Sequence, residues 1–142
     1  MPYFDTSAVV PYFCPEKTSP IVERLLQESP ERQICPLTEV EFASALAQKT
    51  RAAELRLADA RKIWHKFQQA LRSGAFTVVS LEISHFQQAA EWLSQFNTTL
   101  RTLDALHLAV AAGNDSVLVT GDAGLARAAG RLGIKAKLII RK

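Results

Sequence analysis

Short apolar segments recur along this chain, and between each and the next lies a stretch long enough for an amphipathic helix. PYF, QICPL, FTVVS, SVLVT and KLII are the strand candidates. Two parallel strands cannot be joined by a tight turn. They need a crossover of a dozen or more residues, usually a helix, and the helices then cover both faces of the sheet. The alternation therefore predicts an α/β class fold, a three-layer α/β/α domain with a central, mostly parallel sheet. At 142 residues, 48% of them hydrophobic, the chain is large enough to bury a core of its own. No internal repeat and no Pro/Gly/Ser-rich linker divides it, so one domain over residues 1–142 is expected.

The helices carry their own signals. TSAVVPYF is helical despite Pro11, which removes a backbone donor. Ser19 and Pro20 have the types preferred at the N-cap and first position of IVERLLQES. Thr38 and Glu41 have the spacing of a capping box at the head of TEVEFASALAQKTRAAE. ELRLADARKIWHKFQQALRS is apolar at Leu57, Ala60, Ile63, Trp64, Phe67 and Leu71, and Gly74 ends it. Trp64 and Phe67 thereby fit a core seam. ISHFQQAAEWLSQF, TLDALHLAVAAG and GLARAAGRLG complete the set, the second stopped by Gly113 and Asn114.

Several classes are set aside. No apolar run approaches the ~20 residues of a membrane span, and the start lacks the basic region and cleavage site of a signal peptide. A cytoplasmic protein is expected, with no membrane partner. Cys14 and Cys35 are the only cysteines and have no CxxC or histidine spacing, which argues against zinc and leaves them as small packing or surface residues. There is no GxGxxG after a strand, so a dinucleotide site is not expected. An aspartate-nucleophile phosphatase needs a second aspartate two positions after the first, where this chain has Ser7.

In open α/β sheets ligands bind beyond the carboxyl ends of the strands, and carboxylates fall there. Asp5 ends the first strand and Asp122 follows SVLVT. Glu41 lies at the start of the helix after QICPL, and Asp104 at the start of the helix leading into SVLVT. Each has an ordinary explanation: Asp5 and Asp122 as helix caps, Glu41 as the acid of a capping box, Asp104 as a favourable charge at a helix N-terminus. Four together from distant segments are harder to explain by capping alone. Clustered carboxylates repel and raise one another's pKa unless a cation neutralises them. Oxygen-only donors select hard ions, Mg²⁺ or Mn²⁺, which in turn suit phosphodiester hydrolysis. Thr6, Ser7 and Thr120 add neutral oxygens for hydrogen bonds to the acids or to phosphate.

The segments FDTSAVV, LTEVEFASAL, LRTLDALHLAVA and LVTGDAGLARAA resemble, in order, the motifs of PIN-domain ribonucleases, and most of all the VapC-type toxins of type II toxin–antitoxin systems. The resemblance runs from about residue 2 to residue 140. It implies a PIN-like domain acting as a Mg²⁺- or Mn²⁺-dependent endoribonuclease. Asp5, Glu41, Asp104 and Asp122 would be the metal-binding and catalytic acids, with Thr6 and Thr120 at the family's polar positions beside them. Glu39, next to Glu41's turn, should face solvent. It also implies a VapB-type antitoxin partner and a homodimer. The antitoxin would lay an amphipathic helix in a groove formed by Val9, Val10, Tyr12, Phe13, Ile21, Val22, Leu25 and Leu26. Two alternatives remain: a PIN ribonuclease of RNA processing without an antitoxin, and a PIN domain serving mainly as a protein-binding module.

Net charge is +3, and leaving the quartet aside, ten acids face seventeen Lys and Arg. Lys49, Arg51, Arg56, Arg61, Lys62, Lys66 and Arg72 crowd into one stretch, either a solvated helix face or an approach for RNA phosphates. His107, three residues beyond Asp104, is expected to pack or hydrogen-bond rather than act as a base. His65 and His85 are expected at the surface.

Overall fold

The computed structural model describes residues 1–139 as five strands and seven helices in strict succession. β1 (Pro2–Phe4) is followed by α1 (Thr6–Phe13) and α2 (Ser19–Glu28), then β2 (Gln33–Ile34) by α3 (Pro36–Arg51) and α4 (Leu57–Arg72). β3 (Thr77–Val78) precedes α5 (Ile83–Leu93) and α6 (Thr102–Gly113), and β4 (Val117–Thr120), α7 (Ala123–Arg131) and β5 (Ala136–Leu138) close the chain. The strand order is β3-β2-β1-β4-β5, and every pairing is parallel. The expectation of a mostly parallel sheet thus becomes an entirely parallel one, because each connection carries at least one helix.

Successive strand residues point to opposite faces, and the two cores follow from that. Phe4 and Val119 join a core with Val9, Val22, Leu26, Phe42 and Phe67 from α1 to α4. Tyr3 and Leu118 join a second with Leu106, Leu108, Val110 and Leu125 from α6 and α7. Phe42 and Phe67 stack with centroids 4.2 Å apart and planes within 8°. The seam assigned to Phe67 and Trp64 is therefore real, with Trp64 packed against its edge. Cys14 and Cys35 are both buried and free. No helix among the described residues is long and apolar enough to cross a membrane.

Four expectations need correction. The helix after β2 starts at Pro36 with Cys35 as its cap, so Thr38 and Glu41 are not a capping box. Proline, pre-set for the first helical position, begins the helix earlier than the TxxE spacing implied. Ser19 is inside α2 rather than its cap, and its hydroxyl donates instead to the Pro11 carbonyl at 2.6 Å. FTVVS contributes only Thr77 and Val78 as strand, both exposed at the sheet edge. The KLII strand is observed at Ala136–Leu138, and Ile140 lies outside the described residues.

The groove residues also divide. Val9, Val22 and Leu26 are at most 1% exposed and belong to the first core, so they cannot line a surface. Val10 is buried with them, while Phe13, Ile21 and Leu25 are half-buried against it and Tyr12 is exposed. The apolar surplus of these two short helices is absorbed because α1 packs against α2, α3, α4 and β4 at once.

Candidate active site

Asp5 follows β1 directly and caps α1, its Oδ1 accepting from the Ala8 amide at 3.2 Å. Ser7 Oγ donates to the same oxygen at 2.6 Å, and Thr120 Oγ1 donates to Oδ2 at 2.6 Å. The hydroxyls tie Asp5 to the end of β4, since Gly121 N donates to Ser7 Oγ and Asp122 N to Thr120 Oγ1. Asp5 is 5% exposed. Burial pushes its carboxyl up, and the bonds from Ser7, Thr120 and Ala8 work against that shift. The cap on α1 and the ties to the end of β4 are thus made by one carboxylate. Asp122 likewise caps its helix, accepting from Leu125 N at 3.1 Å.

Glu41 sits a turn into α3 and is fixed from two sides. Thr6 Oγ1 donates to Oε1 at 2.9 Å, and His107 Nε2 hydrogen-bonds the same oxygen. Burial works against the charged carboxylate, but these contacts outweigh it and hold Glu41 below the usual range. His107 is buried, and its Nδ1 meets the Tyr3 hydroxyl at 2.6 Å. Burial opposes the imidazolium, yet contacts with Cys35 and Glu41 push the ring up to about 10. Tyr3, held up chiefly by burial and then by Cys35, keeps its phenolic proton. His107 therefore makes hydrogen bonds as expected, and the sequence offered no sign that Tyr3 and Cys35 would be its neighbours. His65 is exposed, whereas His85 is half-buried with Nδ1 accepting from Glu82 N at 2.9 Å.

Asp104 lies in the first turn of α6, half-buried. Burial raises its pKa, and the charge of Asp122 raises it further, with a smaller push from Glu41. These three acids line one cavity of about 780 Å³ between the starts of α6 and α7, with Arg101, Thr102 and Arg127 on its walls. Asp5 stands behind it, joined through Thr6–Glu41 on one side and Thr120–Asp122 on the other. The quartet meets at one edge but is not closed into a clasp. Among the described residues no three His, Cys, Asp or Glu side chains form a group that could hold an ion. The oxygen-only donor set, with Asp104 repelled by its neighbours, still has the chemistry that a hard divalent cation relieves.

The cations nearest the acids were not singled out by sequence. Arg101 and Arg127 share the cavity and have no carboxylate partner among the described residues. The basic stretch 49–72 contributes nothing to its lining; Lys49 pairs with Glu16 and Arg56 with Asp59. Only the folded topology reveals that a helix cap and a residue on α7 would flank the acids. Thr38 is buried and its hydroxyl has no partner, while Glu39 is exposed as expected.

The profile of the PIN domain matches residues 3–131. No curated protein sequence matches significantly. Among solved structures, the chain is similar to Mycobacterium tuberculosis VapC20, described as a Sarcin-Ricin loop cleaving toxin. That match has a TM-score of 0.73 and 18% identity, covering 100% of both chains. A toxin–antitoxin complex from Klebsiella pneumoniae matches with a TM-score of 0.71 and 16% identity, again over 100% of both. VapBC2 from Rickettsia felis, bound to a DNA fragment from its promoter, matches with a TM-score of 0.67 and 12% identity, over 97% of this chain and 98% of that one.

Proposed function

The chain belongs to the PIN domain family, and from that premise we propose that it is a Mg²⁺- or Mn²⁺-dependent endoribonuclease, the toxin of a toxin–antitoxin pair. The observation that carries the reading is the cavity where Glu41, Asp104 and Asp122 face the unpaired Arg101 and Arg127. Such a site can hold cation and phosphate together: the acids attract the first, the arginines and the positive N-termini of α6 and α7 the second. The toxin assignment draws on the likeness to the folds of VapC20 and VapBC2.

Glu41, Asp104 and Asp122 would hold the ion, with Asp5 supporting them from behind. When bound, a divalent ion acidifies water and neutralises charge on a phosphodiester. Arg101 and Arg127 bind phosphates on either side of the scissile bond and orient the strand. Water adds to phosphorus as the bond to the leaving ribose oxygen breaks; its proton passes to a cavity carboxylate, and one returns to the departing oxygen. No side chain forms a covalent intermediate. The proposed partners are an RNA substrate, a VapB-type antitoxin and a second copy of the chain. The antitoxin helix would rest on Tyr12, Phe13, Ile21 and Leu25, the groove residues that retain surface.

The test is cleavage of RNA by purified protein with Mn²⁺, with Mg²⁺ and with chelator. Metal-dependent internal cleavage is expected. Equal cutting with chelator, or none under any condition, would defeat the proposal. The rival is a PIN domain acting mainly as a binding module. That rival expects antitoxin capture without cleavage.

A further inference from the structure

Glu41 receives both of its hydrogen bonds on one oxygen, Oε1, from Thr6 and from His107. Among the described residues Oε2 has no hydrogen-bond partner, and the only buried unpartnered side-chain atom is Thr38 Oγ1. Oε2 is therefore accessible, and Glu41 lines the cavity. His107 is not among the lining residues, being 2% exposed. Its two nitrogens are both engaged: Nε2 by Glu41, and Nδ1 by the Tyr3 hydroxyl at 2.6 Å. Tyr3 is wholly buried in the second core. Both nitrogens are turned to these partners and the ring does not line the cavity, so it acts there through Glu41.

We propose that Tyr3 and His107 are a positioning pair for Glu41, clamping Oε1 from the buried side so that Oε2 is presented to a divalent cation in the cavity. The inference rests on the nuclease reading for the identity of that guest; the clamp is a property of the three side chains. An ionised carboxylate only accepts, so Nε2 carries the hydrogen, and Tyr3 fixes the ring's rotation about the opposite nitrogen. Two donors on one oxygen leave the carboxylate little freedom to turn. Partners of this kind, one shell behind a metal ligand, set its orientation and basicity.

Mn²⁺ affinity is measured by calorimetry on RNA-free protein, beside kcat and KM for RNA cleavage. His107→Met fills the ring's space without a donor, His107→Gln restores an amide donor, and Tyr3→Phe deletes a single oxygen. His107→Met is expected to weaken Mn²⁺ binding and lower kcat by about 10–100-fold, with KM for RNA unchanged because the arginines are untouched. His107→Gln recovers most of both, Tyr3→Phe loses part, and His107→Met adds nothing to Glu41→Gln. Should His107→Met fail to fold, Tyr3→Phe carries the comparison. Unchanged affinity and kcat in the folded variants overturns the pair, and so does equal loss in the Gln and Met variants. A wild type that binds Mn²⁺ but cleaves no RNA breaks the nuclease reading and leaves affinity to decide the pair. A wild type that binds no Mn²⁺ overturns both.

Discussion

Asp5 and Asp104 bring the same carboxylate to the same edge of the sheet in opposite circumstances. Asp5 is buried, and both of its oxygens already accept hydrogen bonds from Ser7, Thr120 and the Ala8 amide. Asp104 is half-buried at an open cavity and faces Asp122 and Glu41, which raise its pKa by repulsion. Burial pushes both carboxyls up, but hydrogen bonds compensate Asp5 where the neighbouring acids push Asp104 further. A carboxylate that anchors donors of the fold and one that meets its neighbours' charge should answer differently to substitution.

The sharpest break of that comparison comes from chemistry and stability measured together. Asp5→Asn and Asp104→Asn should both reduce metal-dependent RNA cleavage to background. If either purified, folded variant cleaves normally, that acid is not in the site. Stability should then separate the pair. Asp5→Ala abandons the exposed Ser7 hydroxyl together with the buried Thr120 hydroxyl and Ala8 amide, and an unmet buried donor costs about 1–3 kcal/mol, so thermal melting should fall by several degrees. Asp104→Asn relieves repulsion and should melt at or above wild type in the presence of chelator. Equal melting losses would erase the distinction.

Metal sharpens the contrast from the other side. An ion that binds only the native state at a hundred times its Kd stabilises by about 2.7 kcal/mol. Mn²⁺ should therefore raise the melting point of wild type and do so less in Asp104→Asn or Asp122→Asn. No metal-dependent shift in wild type would count against the cavity as a cation site. The smallest effect is expected at Gly124, where an added Cβ would lie 3.2 Å from Asp122 Oδ1. Alanine is the better helix former by about 1 kcal/mol, so Gly124→Ala should gain a little stability while weakening Mn²⁺ binding a few-fold. Unaltered binding would mean that Asp122 tolerates the crowding.

The same contrast explains what could be read from the chain alone. Strand-end positions of Asp5 and Asp122 follow from alternating segments and parallel topology, and Asp104 from the direction of its helix. All three were therefore visible. Glu41 was placed near a helix start, but its ordinary explanation fails, because Pro36 rather than Thr38 starts α3 and no capping box exists. The groove failed at Val9 and Leu26 because apolar spacing on a short helix does not tell how many neighbours it packs against. Charge counting pointed to residues 49–72, whereas Arg101 and Arg127 line the cavity. Which helix starts converge is decided by the sheet order, not by local composition. His107 was legible as a hydrogen-bonding residue, but its partners come from β1 and α3, far away in sequence.

Three consecutive residues, Tyr3, Phe4 and Asp5, send their side chains to three different destinations: the second core, the first core and the acidic edge of the sheet. A single inserted or deleted residue in this stretch would exchange them, sending Phe4 toward His107 and displacing the carboxylate from its hydroxyls. For anyone engineering the molecule, the opening of the chain offers no slack in length. Point substitutions are the gentler edits there, while the proposed activity is better probed at the start of α6, where Asp104 can be changed without touching either core.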